Sequence, residues 1–171
     1  MSKSAIATAQ SIFSSRLDTL EQLLKKASTH FGSDESFLAE RIAPDMHPLG
    51  TQIAFTCNQP RNFSLWCGGM PNDNLDPSVT SVAHAQSHIS STKQLLHAIN
   101  TNDSKRSETA RIELGGGLYI ELRGEEYIND FLIPNFYFHM VTAYDILRMK
   151  GLEIGKGDYM LHLAPLVRQA Q

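Results

Sequence analysis

The chain has 171 residues, is 42% hydrophobic and 19% charged, and carries a formal net charge of −3, the profile of a soluble globular protein with room for a sizeable core. Its lysines and arginines are scattered rather than clustered, which speaks against a nucleic-acid partner, and no apolar run reaches the roughly 18 residues that would suggest a membrane span. The opening MSKSAIATAQSIFSSRLDTL has no continuous apolar stretch, so no signal peptide is expected; the two cysteines, Cys57 and Cys67, make no disulfide framework and read as reduced thiols of a cytoplasmic protein.

The first helix is expected from about Ser4 to His30. Ile6, Phe13, Leu17, Leu20, Leu24 and Ala27 recur at helical steps, and Gly32 is a plausible stop. Ser33 is placed to cap a short helix carrying Phe37, Leu38 and Ile42, which ends before Pro44. Pro48 fits the first turn of a second long helix. Leu49, Ile53, Thr56 and Phe63 trace its apolar face, and Gly68-Gly69 ends it. Pro60 lies inside this helix and predicts a kink. Both cysteines fall on it, about 15 Å apart and too far to bridge. Residues 70–77, MPNDNLDP, read as a loop.

Thr80 or Ser81 opens a third helix that runs to about Ile99, with Val82, Ile89, Leu95, Leu96 and Ile99 as its apolar positions. The period then changes. Arg111 to Leu114 and Tyr119 to Leu122 alternate around Gly115-Gly116-Gly117, which predicts a short β-hairpin packed on the helices. The fourth helix, from Glu126 to Lys150, is expected to kink at Pro134. Gly151 ends it, and the tail wraps back as loop and short helix. Four long helices and one hairpin predict an all-α fold, a four-helix bundle in a single domain over residues 1–171.

The fourth helix is apolar on two sides and so is expected to be buried on two sides. Phe131, Asn135, Phe138, His139, Thr142 and Ile146 share one face, which places an Asn and a His one turn apart in an apolar stripe. The plainer reading of His139 is a core histidine satisfied by neighbours such as Asn135 or Thr142. The functional reading is a pocket in the bundle core, with Asn135 fixing the imidazole tautomer. The opposite stripe, Ile133, Tyr137, Met140, Tyr144 and Leu147, is expected to be a homodimer interface, since Tyr and Met are enriched at such surfaces, with cover by the hairpin or the tail as the alternative.

Other constellations are poorer. His84 and His88 have the spacing of two metal-binding imidazoles on one helix face, but their serine-rich surroundings favour a solvent-facing pair. His47 is placed to cap the second helix. His30 and His97 lie near helix C-termini, where positive charge is favourable. The triple glycine lacks the Lys-Ser/Thr of a phosphate loop. No serine sits in a nucleophile elbow, and neither cysteine has an adjacent base.

Three stretches together, APDMHPLGTQI, PNFYFHMVTAYDILRMKG and GKGDYM, resemble an uncharacterised bacterial domain-of-unknown-function family within the DinB/YfiT-like superfamily of proposed metalloenzymes. The resemblance covers nearly the whole chain. It implies a DinB-like four-helix bundle, with the hairpin just before the last long helix, and commonly a dimer. It also implies a metal site of one second-helix histidine and an HxxxH on the last long helix. On this chain those positions fall on Gln52 or Ile53, on Asn135 and on His139, so one of three ligands is present. Amides compete weakly with water for Zn²⁺ or Ni²⁺.

The resulting expectation is a DinB-like bundle protein with a small-molecule pocket formed by Asn135, His139, Thr142 and Gln52. Its metal site is degraded or absent, and no cofactor is needed. The alternative is a metal-dependent hydrolase or thiol transferase of the DinB/YfiT-like type. His139 would then be the catalytic candidate and would hold Zn, Ni or Mn, with His47 or Asp45 as substitute ligands.

Overall fold

The computed structural model describes residues 4–100 and 103–169. Four long helices form the expected bundle: α1 (Ala5–Phe31), α2 (Leu49–Cys67), α3 (Val82–Ala98) and α4 (Ile133–Met149), with one hairpin, β1 (Thr109–Gly115) and β2 (Leu118–Arg123), ahead of α4.

The helix ends follow capping chemistry. Ser4 Oγ accepts from the Ala7 amide at 3.0 Å and opens α1, and Gly32 closes it at φ 62 with its N–H on the Ser28 carbonyl. Ser81 caps α3 through the His84 amide. Three local expectations change. Asp34, not Ser33, caps the short segment, because its carboxylate reaches the Ser36 amide at 2.9 Å; that segment is a 3₁₀ turn over Glu35–Ala39 and leaves Ile42 exposed. Pro48 is the N-cap of α2 rather than part of its first turn, its carbonyl accepting from the Gln52 amide. His47 gives α2 no side-chain cap.

The core is centred on Phe13 of α1, whose ring meets Phe63 of α2 and Phe136 of α4 at centroid distances of 5.4 and 5.2 Å. All three side chains are fully buried, each worth about 1.5–3 kcal/mol by area. The most extensive helix pair is α2 with α4, and α3 packs on α2 and α1. Gly50 allows the chain to pass close to α2, since a Cβ there would collide with the Val79 carbonyl.

The hairpin is antiparallel, with Ala110 opposite Leu122 and Ile112 opposite Ile120. Ala110 and Ile112 are buried, and Leu114 and Leu118 are exposed near the tip. Gly115, Gly116 and Gly117 all have positive φ, a conformation other residues rarely adopt. Gly124 leads out of the hairpin, and a Cβ there would strike the Lys105 carbonyl and the Trp66 ring.

The fourth helix is not a single α-helix kinked at Pro134. Residues Tyr127–Leu132 form a π-helical turn, and α4 proper begins at Ile133 with Pro134 in its first turn. Pro134 has no N–H to continue an α ladder. The widened turn comes just before it, where the Ile133 amide reaches five residues back to the Ile128 carbonyl.

The second stripe of α4 is partly buried within the chain. Met140 and Leu147 are buried, and Ile133, Tyr137 and Tyr144 pack against the core. Arg16 Nε donates to Tyr137 Oη at 3.0 Å, and Tyr144 lies edge-on to Tyr159 of the tail. The tail packs on α1 through its short helical turns. No helix among the described residues is long and apolar enough to cross a membrane.

Candidate functional site

A cavity of about 690 Å³ opens between α2, the loop after it, β1 and the start of the fourth helical segment. Phe55, Trp66, Tyr127 and Phe131 supply aromatic wall, Asn58, Gln59 and Asn62 supply amides from α2, and His139 supplies an imidazole. The α2 residues recur at three- and four-residue steps, so one face of the helix serves the cavity.

His139 is held from behind. Its Nδ1 lies 2.8 Å from Gln52 Oε1, and Gln52 Nε2 donates to the His47 carbonyl at 3.1 Å. That carbonyl can only accept, so the amide oxygen of Gln52 is turned towards His139, and Nδ1 must carry the proton. The remaining nitrogen, Nε2, keeps its lone pair. Burial, with the nearby His47 as a second cause, pushes the His139 pKa down to about 4. The imidazole is therefore neutral near pH 7 and is a hydrogen-bond acceptor, a base or a ligand through Nε2. The Phe55 ring stands edge-on to His139 at 5.2 Å and to His47 at 5.1 Å.

Of the four residues predicted for the pocket, only His139 is part of the cavity wall. Gln52 is buried behind it and positions it. Asn135 does not bond His139; its Nδ2 donates to the Phe131 carbonyl at 2.7 Å, within the widened turn. Thr142 is buried, with its hydroxyl on the Phe138 carbonyl. Both polar groups thus serve their own helix. Asp45 and His47 are exposed ahead of α2.

The donor set beside His139 fits a divalent metal poorly. The residue one turn earlier is an amide directed at a backbone carbonyl, and the second-helix residue is an amide already bonded to His139 itself. Among the described residues, no group of three or more His, Cys, Asp or Glu side chains is arranged to hold a metal ion.

Several site residues escaped the sequence reading. Asn58 and Asn62 tie the loop over the cavity: Asn58 Oδ1 accepts from the Leu75 amide at 2.8 Å, Asn62 Oδ1 from the Asp73 amide at 3.1 Å, and Asn62 Nδ2 donates to Asn74 Oδ1. Arg61 adds an ion pair to Asp73. The available signal was two asparagines four apart in a helix interior, where this residue type is unfavourable unless its amide is used. Burial pushes the Tyr127 hydroxyl up to about 12, so it remains a neutral donor. Arg111 is paired with Glu113 at 2.7 Å.

The remaining candidates resolve plainly. His84 and His88 are not a solvent-facing pair: their rings lie 4.4 Å apart, His88 is buried, and its Nε2 is 2.9 Å from the Asp76 carbonyl. Cys57 and Cys67 are free, and burial raises their thiols to about 12 and about 11, far from a thiolate at neutral pH.

The model of DUF1993, a domain of unknown function, matches residues 7–160. The crystal structure of a DinB family member from Shewanella denitrificans is similar, at 30% sequence identity over 86% of each chain and a TM-score of 0.74. Comparison with curated proteins finds no match.

Proposed function

The chain belongs to the DUF1993 family and shares the DinB-like bundle, and from that premise we propose that it binds a small molecule in the cavity beside His139, with the superfamily's metal site degraded. The observation that supports this is the Gln52–His139 hydrogen bond. A second-helix ligand has become the group that orients the histidine. Gln52 fixes the tautomer, and Nε2 becomes a neutral acceptor at the cavity wall. The titratable groups lining the cavity are a neutral imidazole, a neutral phenol and the paired Arg111 and Glu113. That favours an uncharged ligand, with a planar or apolar part against Phe55, Trp66 and Phe131 and a donor for His139 Nε2.

A second reading has one specific support. Metal-bound histidines commonly donate their other ring N–H to an oxygen acceptor, as His139 does to Gln52. A metal-dependent hydrolase or thiol transferase would use Nε2 as its one imidazole ligand.

Metal analysis of protein purified without an affinity tag, followed by a thermal-shift screen of neutral metabolites, separates the two. Metal-free protein that is stabilised by a metabolite, and less so after His139→Gln, is the expected result. Stoichiometric Zn, Ni or Mn would overturn the binding-only reading, and ligand responses identical in wild type and variant would remove His139 from the site.

A further inference from the structure

One side of the cavity beside His139 is made of backbone. Thr109, Ala110, Arg111, Ile112 and Glu113, consecutive residues of β1, all line it. Side chains alternate between the two faces of a strand, so only a strand edge presents such a run. The sheet has two strands and β2 occupies one edge of β1, so the edge on the cavity is the open one. The register says which groups stand there. Thr109 lies opposite Arg123, which continues to Glu108 opposite Gly124, and the Gly124 amide donates to the Glu108 carbonyl at 2.8 Å. Hydrogen-bonded pairs alternate along an antiparallel ladder. Ala110 and Ile112 therefore exchange bonds with Leu122 and Ile120, while Thr109, Arg111 and Glu113 turn their N–H and C=O groups to the open edge. Those groups have no hydrogen-bond partner among the described residues. The side chains leave the edge clear, because the Arg111 guanidinium lies 3.6 Å from the centre of the Tyr119 ring on β2 and pairs with Glu113. Elsewhere the wall offers unused amide groups. Asn58 Oδ1 accepts from the Leu75 amide and Asn74 Oδ1 accepts from Asn62, which leaves both Nδ2 groups to donate. Gln59 Nε2 donates to the Phe55 carbonyl, which leaves Gln59 Oε1 to accept.

We propose that the ligand of this cavity is a short peptide in extended conformation, which adds to β1 as a third strand. This rests on the cavity being a small-molecule site and names the class of molecule. An N–H and a C=O from every second residue are matched by another extended main chain, the geometry of strand addition. Arg111 and Glu113 stand about 7 Å apart along the strand, so about three ligand residues reach both. The other edge of the ligand main chain meets the free amide groups of Asn58, Gln59 and Asn74. Its inward side chain lies on the face of Ala110 and Ile112 and meets the aromatic wall. A peptide with capped termini brings no charge, in keeping with the neutral His139 and Tyr127 and the paired Arg111 and Glu113. An open edge on the outer surface would pair with any extended chain; this one is confined to a cavity of about 690 Å³.

The test is a magnetic-resonance titration of the full ¹⁵N-labelled chain with N-acetylated, C-amidated tripeptides carrying Ala, Leu, Phe or Tyr at the centre. Saturable binding of at least one of them is expected. In the complex the Arg111 and Glu113 amides exchange their hydrogens at least tenfold more slowly, while those of Ala110 and Ile112, already in the ladder, are unchanged. The same peptide N-methylated at every residue binds at least tenfold more weakly. Arg111→Pro, which removes an edge N–H without breaking a bond to β2, weakens binding to the same extent. If that variant does not fold by circular dichroism, the N-methylated peptide decides. Absence of binding by all the tripeptides at millimolar concentration overturns the proposal; a non-peptide metabolite that binds in a His139-dependent way then leaves the small-molecule reading standing alone. Equal affinity of the N-methylated peptide also overturns it. So does protection of the Arg111 and Glu113 amides that rises with protein concentration in the absence of peptide, because a second copy of the chain then covers the edge. Peptide binding with slowed Arg111 and Glu113 exchange but no response to His139→Gln upholds strand addition and removes His139 from the site.

Discussion

His139 Nδ1 and Gln52 Oε1, 87 positions apart in sequence and 2.8 Å apart in space, join the two helices that pack most extensively against each other. The bond is directional in a way that carries chemistry. Because Gln52 Nε2 is held by the His47 carbonyl, the amide cannot turn over without breaking two hydrogen bonds, and the protonated nitrogen of His139 is set by the backbone ahead of α2.

Replacing Gln52 by Leu keeps the volume and removes both bonds. His139 Nδ1–H is then half-buried without an acceptor, for which a loss of about 1–3 kcal/mol is expected. Urea denaturation reads that loss, and ¹⁵N imidazole shifts show His139 leaving the single Nδ1–H tautomer. A variant with wild-type stability and an unchanged tautomer would mean that another group holds the ring.

The same histidine makes stability depend on pH. Its pKa is about 4 in the folded chain against 6.5 for an ordinary histidine, with burial as the largest cause and His47 as the second. Between those values the unfolded chain binds more protons, so stability falls as pH drops from about 6.5 to about 4 and no further below. His139→Gln removes this contribution. His162, also shifted down, acts in the same direction in both proteins and is not removed. Melting temperatures across pH 4 to 7 should show a shallower slope for the variant; equal slopes would contradict a neutral, buried His139.

The helices and hairpin were legible because each rests on local chemistry: Phe13, Leu17, Leu20 and Leu24 at helical spacing, Ser81 as a cap, and three glycines in a row where the chain needs positive φ. The site was less legible. His139 stood out as polar in an apolar stripe, but its partner depends on how α2 and α4 are placed together, which spacing along one helix cannot contain. Asn135 was a polar neighbour one helical turn away. The π-helical turn before Pro134 brings the Phe131 carbonyl within reach of its amide instead. The loop over the cavity reads as loop from its prolines and asparagines, yet its attachment to Asn58 and Asn62 is purely tertiary.

That attachment gives a third expectation. Asn58→Ala and Asn62→Ala each free a backbone amide of the loop, Leu75 in one case and Asp73 in the other. Each variant should lose about 1 kcal/mol. The diagnostic change is local: the released amide exchanges its hydrogen faster, while amides around Phe13 and Phe136 keep their protection in proportion to global stability. Uniform loss of protection across the chain would mean that the asparagines support the core rather than the cavity loop.

The last expectation concerns the outer stripe of α4. Tyr144 is half-buried, packs against the core and meets Tyr159 edge-on. Tyr144→Glu removes that ring contact and puts a carboxylate on a surface already occupied by the chain's own tail, with Asp145 beside it. A loss of about 1–3 kcal/mol is expected from the lost packing and the partly buried charge. Because Tyr137 bonds Arg16 and Tyr144 meets the tail, the substitution should lower the denaturation midpoint and leave the sedimentation coefficient of the folded protein unchanged. A dimeric wild type that becomes monomeric on this substitution, at unchanged stability, would place the stripe at a subunit interface and show that the tail moves aside to expose it.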